Sequence, residues 1–289
     1  MLQTVAAADA PIPGKTPSQI ARRALFYGLV TILALVFFVP FVYTISTSFK
    51  TIPDSVNVTL IPHPWTTSAW STVWHNYDFA TYFKNSFFLC AVIVSCNIFL
   101  GALGGYAFAR LHFPGRDLLF LIVLATIMVP DQLRLIPIYV MLVNWHLIGN
   151  FSGYILINLV TAVNLFFMRQ YFLTIPRDFE EAAKLDGAGY FKTYWRIMLP
   201  LAGPAIAALA ILQFQGTWND FFWPLILFGQ GSEHMYTMQL GLAQLTFTYQ
   251  SLWPQLMAGS IMAIAPILVI FLVFQRFFVS GVTAAGIKG

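Results

Sequence analysis

A dense patch of charge lies in the second half of a chain that is otherwise mostly apolar. Nine of the chain's 26 charged residues fall within the 31 positions from Arg169 to Leu199. A charged side chain at the centre of a bilayer costs about 2.5 kcal/mol or more, so immersing this segment would cost roughly 20 kcal/mol. We therefore expect the segment to stand in water beside a membrane, where its charged groups can bind a partner.

This segment is predicted to contain a short helix that begins near Phe179. Asp178 and, three residues later, Glu181 match a capping box, and Pro176 stands just upstream. Acidic residues in a first turn also favour a helix because they face the positive end of its dipole. Two pairs of opposite charge stand four residues apart and would add support: Arg177 with Glu181, and Glu180 with Lys184. A left-handed glycine at position 187 or 189 would end the helix after about nine residues.

One face of this predicted helix is flat. At the spacing i, i+3, i+4 and i+7 it carries Phe179, Ala182, Ala183 and Asp186. Such a face buries little area within its own protein, but it fits a groove on another protein. The alternative is an ordinary solvated loop, and the charge pattern alone leaves both interpretations open.

The rest of the chain has the composition of a membrane protein. Of its 289 residues, 58% are hydrophobic and only 9% are charged, and the mean hydropathy is +0.74. Soluble domains carry about 25% charged residues, and a helix needs roughly 18 to 20 apolar residues to cross the hydrocarbon core. Six runs meet this length, near residues 24–49, 85–109, 118–143, 151–168, 201–228 and 256–277. We expect an all-α polytopic membrane protein with six transmembrane helices. Residues 1–18 are predicted to be a disordered tail, and residues 19–289 a single transmembrane domain.

Prolines make some of these spans irregular. Pro130 and Pro137 should break the third span, in which Asp131 and Arg134 lie unusually deep. We interpret these two charges as a pair at a broken helix end. The later spans also contain proline: Pro204, Pro224 and Pro266. Neighbouring helices can satisfy the carbonyl groups that proline leaves unpaired, so these spans remain helical.

Lysine and arginine are distributed unevenly between the two sides of these spans. Twelve of the 15 lie in the N-terminal tail, the 2-3 loop, the 4-5 loop or the C-terminal end. Because positive residues accumulate on the cytoplasmic side, both termini and the charged segment are predicted to be cytoplasmic. The same asymmetry explains the net charge of +4, which requires no nucleic-acid partner.

Signals for other chemistry are absent from the sequence. "GKT" at positions 14–16 lacks the upstream glycine and the preceding strand of a phosphate-binding loop. The five histidines have no metal-ligand spacing, and both cysteines fall within one predicted span. No catalytic set stands out, so we predict that the chain is not an enzyme and holds no metal. "GALGG" at positions 101–105 has the small-residue spacing that lets two helices approach closely.

The segment "EEAAKLDGAGYFKTYWRIMLP" resembles the EAA loop of ABC importer membrane subunits. The pattern of that loop is E-A-A, three residues, glycine, nine residues and I-x-L-P. Its matching positions here are Glu181, Ala182, Ala183, Gly187, Ile197, Leu199 and Pro200. The stretches "VPDQLRLIPIY", "WNDFFWPL" and "QRFFVSGVTAAGIKG" are similar to the carbohydrate branch of this family, specifically to the smaller maltose-type partner of a permease heterodimer. The resemblance covers nearly the whole chain and implies the ABC type I importer fold.

By this resemblance the short helix is a coupling helix, within the loop 169–200, that docks in a cleft of a cytoplasmic ABC ATPase dimer. The residues that it assigns to coupling are Phe179, Glu181, Ala182, Ala183, Asp186, Gly187, Gly189, Leu199 and Pro200. ATP and magnesium would be bound by that partner, and this chain would hold no cofactor. The other implied partners are a second, homologous permease subunit, an extracytoplasmic solute-binding protein and membrane lipid, in a prokaryotic cell membrane. The loops 50–84 and 229–255 would meet the binding protein.

The resemblance also implies a solute path between the two permease subunits near mid-membrane. Polar residues inside a span are costly and are therefore candidates for such a path. In the fifth span the candidates are Gln213, Gln215, Trp218, Asn219, Asp220 and Trp223. The two tryptophans offer flat faces for a sugar ring. The alternative is that these residues hold the two subunits together or cap a kink at Pro224, and the sequence leaves both open.

The identity of the solute is left open by the sequence. Sugars, polyols and glycerol phosphates all fit the same mechanism. An ion-coupled secondary transporter is the rival of a different class, but such transporters usually contain an internal repeat, and none is found. It would also leave the charged segment without a role.

Overall fold

The computed structural model describes residues 17–229, 231–248 and 252–286, and this part of the chain is helical without a β-strand. It also contains a π-helical stretch at Tyr194–Met198 and a 3-10 turn at Glu233–Met235. The α-helices in chain order are α1 (Pro17–Ser48), α2 (Ile52–Ser55), α3 (Ser68–His75), α4 (Phe79–Arg110), α5 (Arg116–Ile127), α6 (Asp131–Asn144), α7 (Phe151–Ile157), α8 (Ala162–Thr174), α9 (Asp178–Leu185), α10 (Tyr190–Thr193), α11 (Leu199–Leu201), α12 (Gly203–Trp218), α13 (Phe222–Phe228), α14 (Met238–Thr248) and α15 (Trp253–Gly286). The predicted tail, residues 1–18, lies outside the described residues except for its last two, which begin α1.

Three helices are long and apolar enough to cross a membrane: α1, α4 and α15. The qualifying stretch is 28 residues in α1, all 32 residues of α4, and 22 residues of α15. Three bent pairs also qualify: α5 with α6, bent by 102°, α7 with α8, bent by 43°, and Tyr190–Leu201 with α12, bent by 73°. The described chain therefore has three unbroken apolar helices, and up to six spans if each bent pair crosses as one.

The breaks only partly follow the prolines. The third span breaks just before α6, where Pro130 is the N-cap, but Pro137 lies inside α6 without ending it. The fourth span was predicted to be continuous, yet it is interrupted at residues 158–161. The fifth is interrupted at 219–221, ahead of Pro224, which lies in the first turn of α13. A proline in a first turn removes no helical hydrogen bond, so it does not itself cause a kink.

Helix α4 lies at the centre of the bundle, and α8 is its main neighbour. A Cβ atom on Gly105 would lie 2.6 Å from the Cβ of Met168 and 2.8 Å from the backbone nitrogen of Arg169. Such distances are too short for any side chain, so only glycine fits there. The predicted role of "GALGG" in close helix packing is confirmed.

Helix α1 is packed far less. None of its most apolar 18-residue window is buried within the chain, whereas 33% of the corresponding window of α4 is buried. Large apolar side chains from Leu25 to Ile45 are exposed around it, and its main contacts are with α15. Nearly the whole apolar surface of α1 is therefore left for lipid or for another chain.

The segment between α1 and α4 folds back on the bundle. Phe49 stacks on the rings of Trp65 and Trp70, and the Nε1 of Trp70 donates to the Oγ of Ser48 at 3.3 Å. The Lys50 side chain is buried, and its Nζ donates to the carbonyl of residue 57 at 2.9 Å. This segment is an ordered cap on one end of the helices.

Candidate functional site

The charged segment folds, as predicted, into a short helix, α9. It ends in a Schellman turn, in which the backbone nitrogen of Ala188 donates to the carbonyl of Ala183 at 2.8 Å. Gly187 has φ of +74°, a conformation that favours glycine. Gly189 has φ of −73° and stands at the start of α10. Of the two glycines predicted to end the helix, it is therefore Gly187 that makes the turn.

The start of α9 differs from the predicted capping box. Asp178 is the first helical residue, Arg177 occupies the cap position in helical geometry, and no side chain makes a capping hydrogen bond. The two ion pairs that the sequence predicted along α9 do not form among the described residues. Glu180 instead pairs across the fold with Arg110. Local sequence spacing predicted the helix but not the partners of its charges.

The predicted flat face of α9 is split between the protein and the surroundings. Ala182 and Asp186 are exposed and Phe179 is 46% exposed, but Ala183 is only 4% exposed and faces the chain's own helices. Ala183 therefore packs within this chain, while the coupling role predicted for this face stays a prediction. Leu185 was missed, although it is 90% exposed. It stands three residues after Ala182, so the helical spacing could have identified it.

A buried guanidinium joins α9 to the membrane helices. The Nη2 of Arg110, the last residue of α4, donates to the carbonyl of Phe172 at 2.7 Å and to that of Ile175. Its Nε lies 3.4 Å from Oε2 of Glu180, a close ion pair without hydrogen-bond geometry. Carbonyl groups at a helix end lack helical donors and carry partial negative charge, so a cation is favourable there. We call Arg110, Glu180 and the two carbonyls the charged tie; it connects α4, α8 and α9.

The stretch after α9 has an inner and an outer face, as expected of an interfacial helix. Tyr194 and Met198 are buried, and the ring of Tyr194 lies 5.1 Å from that of Tyr106 in α4. The outer face carries Tyr190, Phe191 and Trp195. Of the two residues predicted at the end of the motif, Leu199 packs against the buried cluster and Pro200 is exposed. This stretch is thus anchored in the bundle on one side.

A cavity of about 640 Å³ lies beside three helix breaks: those between α5 and α6, between α7 and α8, and between α12 and α13. Each break contributes to its lining, with Val129 and Pro130, with Asn158 and Thr161, and with Asp220. Irregular backbone at membrane depth is stable only where it is buried in protein or lines a cavity. The three breaks meet this requirement at one place. We call this space the central cavity.

Three of the six residues predicted for a solute path line the central cavity: Gln213, Asp220 and Trp223. Gln215 and Asn219 are exposed and lie outside that lining. Asn219 accepts a hydrogen bond from the side chain of residue 239 at 3.1 Å. The predicted set is therefore divided between the cavity and another surface of α12.

Neither tryptophan offers the open ring face that the sequence suggested. Trp218 is 1% exposed, its Nε1 donates to the carbonyl of Ala263 at 2.9 Å, and its ring stacks on Phe214. Trp223 lines the cavity but is also buried, with 8% of its surface exposed. A run of apolar sequence does not show which side of a helix is covered, so this expectation is corrected.

Asp220 caps the helix that follows it. Its Oδ1 accepts hydrogen bonds from the backbone nitrogens of Phe222 at 3.0 Å and Trp223 at 3.3 Å. The hydroxyl of Tyr154 donates to its Oδ2 at 2.8 Å. Asp220 therefore has the capping role that the sequence left open, and it also lines the central cavity.

A network of buried amides was missed by the sequence reasoning. The Nδ2 of Asn97 donates to the carbonyl of Asn158 at 3.0 Å, which satisfies the broken end of α7. The Oδ1 of Asn97 accepts from the Nδ2 of Asn164 and, at 3.3 Å, from the Oγ1 of Thr161. Asn164 also donates to Oε1 of Gln213 at 3.2 Å. We call these residues the amide network; the signal for it was asparagine within apolar runs.

Two further expectations concern charge and metals. Arg134 ion-pairs with Asp131 in the first turn of α6, which confirms the pair at a broken helix end. Both residues line the central cavity. Among the described residues, no group of three or more His, Cys, Asp or Glu side chains could hold a metal ion.

Comparison with known proteins gives consistent matches over most of the chain. The family described as "Binding-protein-dependent transport system inner membrane component" matches residues 97–283. The arabinooligosaccharides transport system permease protein AraQ of Bacillus subtilis is 40% identical over 222 residues, which are 74% of this chain and 78% of that protein. The sn-glycerol-3-phosphate transport system permease protein UgpE of Yersinia pestis is 33% identical over 232 residues, 78% of this chain and 82% of that protein.

A solved structure is also similar. It is the crystal structure of a bacterial ABC transporter involved in the import of the acidic polysaccharide alginate. One of its chains matches with a TM-score of 0.80 at 26% identity, and the match covers 92% of this chain and 100% of that chain. The bent spans and α9 thus belong to an architecture that a transport protein is known to adopt.

Proposed function

Because the chain belongs to the family of binding-protein-dependent transport system inner membrane components, we propose that it forms half of the solute path of an ATP-driven sugar importer. In this proposal, α9 transmits the conformational change of the ATPase to the membrane helices. The chain is a membrane subunit of such a system. ATP and magnesium are bound by a separate ATPase dimer, and this chain holds no cofactor of its own.

The observation that carries this proposal is the way α9 is held. It projects Phe179, Glu181 and Leu185 outward, so its outer side is available to a partner. On its inner side the charged tie joins it to α4 and α8. A solvated loop would need no such tie, because nothing would act on it.

The force path runs from α9 to the central cavity. A cavity of about 320 Å³ beside α9 leaves it room to move against the end of α4. Arg110 passes that movement to α4 and α8, whose close contact at Gly105 makes them move together. At its opposite end, α8 is capped by Thr161, which lies in the break that lines the central cavity. Displacement of α9 therefore changes the shape of that cavity.

The arrangement in the membrane follows from charge and exposure. We propose six spans, with each bent pair crossing as one, and with both termini and α9 in the cytoplasm. The excess of Lys and Arg on that side supports this orientation. The second permease subunit covers part of α1 and the exposed side of α12, where Gln215 and Asn219 face outward. These two residues then contribute to the interface rather than to the solute path.

The charge of the central cavity favours a neutral solute. Its lining contains one cation, Arg134, which is already paired with Asp131. Amide and hydroxyl groups, such as those of Gln213 and Thr217, make up much of the rest and suit the hydroxyl groups of a sugar or polyol. A glycerol phosphate would require an unpaired cation for its charge. We therefore propose that the half of the solute path formed by this chain carries a neutral sugar.

The test uses the complete complex in proteoliposomes: this chain, the second permease, the ATPase and the loaded binding protein. We expect the double variant Glu181→Lys with Gly187→Val to assemble but to lose uptake, because the first reverses a charge that faces the ATPase and the second opposes the turn that ends α9. ATP-dependent uptake of radiolabelled solute is the measurement. The matched control is Asp117→Lys, an exposed charge reversal outside α9, which should retain uptake.

Full uptake by the double variant would refute the role of α9. Uptake driven by an ion gradient without the ATPase would favour the secondary transporter instead. A screen of neutral sugars, polyols and glycerol phosphates for stimulation of ATP hydrolysis tests the solute class. Stimulation by phosphorylated compounds alone would contradict a neutral cargo.

A further inference from the structure

A polar pocket lies at the end of α4 that is remote from the charged tie. It has a volume of about 480 Å³. One wall comes from the start of α4 with Asp78 and Tyr82, and the other from the segment between Glu233 and Leu245. The 32 residues of α4 extend over about 48 Å at 1.5 Å per residue, so this pocket and α9 lie on opposite sides of the membrane. It shares no lining residue with the central cavity. We call it the outer pocket.

The walls of the outer pocket are fixed by specific contacts. The Nδ2 of Asn85 donates to the carbonyls of His234 at 2.8 Å and Tyr236 at 3.0 Å. A Cβ atom on Gly241 would lie 2.2 Å from Cδ2 of Tyr82, so glycine is required for that ring to sit where it does. The two walls are therefore held in register without any ligand.

Two carboxylates line the outer pocket, and no Lys or Arg of the described chain lines it with them. Asp78 and Glu233 both line it, and neither takes part in an ion pair or a side-chain hydrogen bond among the described residues. Its lining contains no Lys or Arg, and His234 is the one residue there that could become positive. Residues 230 and 249–251, which lie outside the described part, are Gln, Tyr, Gln and Ser, so none of them is Lys or Arg. A cation in the pocket would be attracted to both carboxylates, so this lining favours a positively charged group.

A mostly buried tyrosine also lines this space, and its hydroxyl has no hydrogen-bond partner among the described residues. Tyr236 is 5% exposed, lines the outer pocket, and makes no side-chain hydrogen bond. Burial, and then the nearby carboxylate of Glu233, raise the pKa of Tyr236 above its usual range, so its hydroxyl stays protonated. Its ring lies 5.8 Å from that of Tyr82. The pocket thus combines two acidic groups with the faces and hydroxyls of tyrosines.

We propose that the outer pocket receives a Lys or Arg side chain of the extracytoplasmic solute-binding protein. This inference rests on the proposed function, which places a binding protein on this side of the membrane. An ammonium or guanidinium group offsets both carboxylates and is attracted to tyrosine faces. A sugar offers no such charge, and Ca²⁺ takes six to eight oxygen ligands, more than two carboxylates supply.

The test measures how the reconstituted complex responds to its loaded binding protein. The double variant Asp78→Asn with Glu233→Gln keeps the size of both side chains and should fold, because neither carboxylate has a partner to lose. ATP hydrolysis is followed against binding-protein concentration at low ionic strength. We expect the KM for the binding protein to rise at least tenfold with kcat unchanged, and the dependence of KM on salt to weaken.

The matched control is Asp54→Asn, which removes one negative charge from the same side of the membrane. Asp54 uses its carboxylate within its own loop, where it accepts from the backbone nitrogen of His63 at 3.1 Å, and Asn can accept the same bond. The KM of the Asp54→Asn complex for the binding protein should stay within twofold of the KM of the unmodified complex. A carbodiimide that joins carboxylates to amines should link Asp78 or Glu233 to the binding protein if the docking residue is Lys.

Three results would overturn this inference. They are an unchanged KM in the double variant, an equal rise in the Asp54→Asn control, and a rise in KM on addition of EGTA with magnesium kept in excess, which would indicate a calcium ion instead. Failure of the unmodified complex to hydrolyse ATP in response to loaded binding protein is a different outcome. It would overturn the proposed function, and the docking partner with it.

Discussion

The charged tie at α9 and the amide network at the central cavity hold helices together with different chemistry. Arg110 connects three helices through one guanidinium, at the end of the bundle near water. Asn97, Asn164 and Gln213 connect α4, α8 and α12 through neutral groups that are buried between spans. A charge within hydrocarbon costs several kcal/mol, whereas a neutral amide is costly only when it lacks a partner. The comparison indicates that the α9 end of the bundle is held by an ion pair and the central cavity by neutral hydrogen bonds.

The largest effect is expected from breaking the charged tie. Arg110→Met leaves Glu180 without its cation and removes the hydrogen bonds that Arg110 donates to the carbonyls of Phe172 and Ile175. Loss of one partner of a buried ion pair costs about 3 to 5 kcal/mol. We expect the free energy of unfolding in mild detergent to fall by that amount, and uptake to fall at least tenfold.

The control for this change is Arg116→Met, in which the lost ion pair is with the exposed Asp117. It should cost below about 1 kcal/mol, because exposed ion pairs contribute little. An equal loss in both variants would show that the burial of Arg110 does not matter. In that case the charged tie would stabilise the protein no more than an exposed ion pair does.

A smaller loss is expected from breaking the amide network. Asn164→Leu keeps a similar side-chain volume but leaves the Oδ1 of Asn97 and the Oε1 of Gln213 with fewer donors. Buried groups left unsatisfied cost about 1 to 3 kcal/mol. Thermal unfolding should show this loss, while the exposed change Asn144→Leu should show almost none. A loss above that of Arg110→Met would reverse the ranking of the two regions.

The turn after α9 should have a local effect. Gly187→Ala places a Cβ atom at φ of +74°, which costs about 1 to 2 kcal/mol. We expect uptake to fall several-fold with little change in global unfolding, because the turn lies outside the packed bundle. Gly203→Ala, where no atom lies within 4 Å of an added Cβ, is the matched control and should keep full uptake.

The smallest effect is expected at the exposed ion pair of α6. Asp131→Asn removes the partner of Arg134, and both side chains are largely accessible. The stability should change by below about 1 kcal/mol. Uptake of a neutral solute should persist, whereas an unpaired Arg134 should increase the affinity of the cavity for anions. Complete loss of uptake would mean that this pair belongs to the machinery of transport.

The sequence predicted those features that depend on neighbouring residues. Hydropathy alone located the apolar runs of α1, α4 and α15, because membrane thickness fixes their length. Charge spacing and the glycine at 187 predicted α9 and its turn. These features need no knowledge of what packs against them.

Features that depend on tertiary contacts were missed. The break at residues 158–161 contains no proline or glycine, and it is stabilised by Asn97 from another helix. The burial of Trp218 and the inward direction of Ala183 likewise depend on which helices lie beside them. Arg110 was counted only as one of the positive charges of a loop, since nothing in the local sequence indicates that α8 and α9 end beside it.

The exposure of α1 has a consequence for how the protein is made. Within the described residues, the main support for this helix is along α15, so its own subunit constrains its tilt in the bilayer only weakly. If the proposed second permease covers α1, a newly synthesised copy without it would present a loosely held apolar helix to the quality-control proteases of the membrane. We therefore expect cells to keep the synthesis of the two permeases in step, and an orphan copy to have a short lifetime.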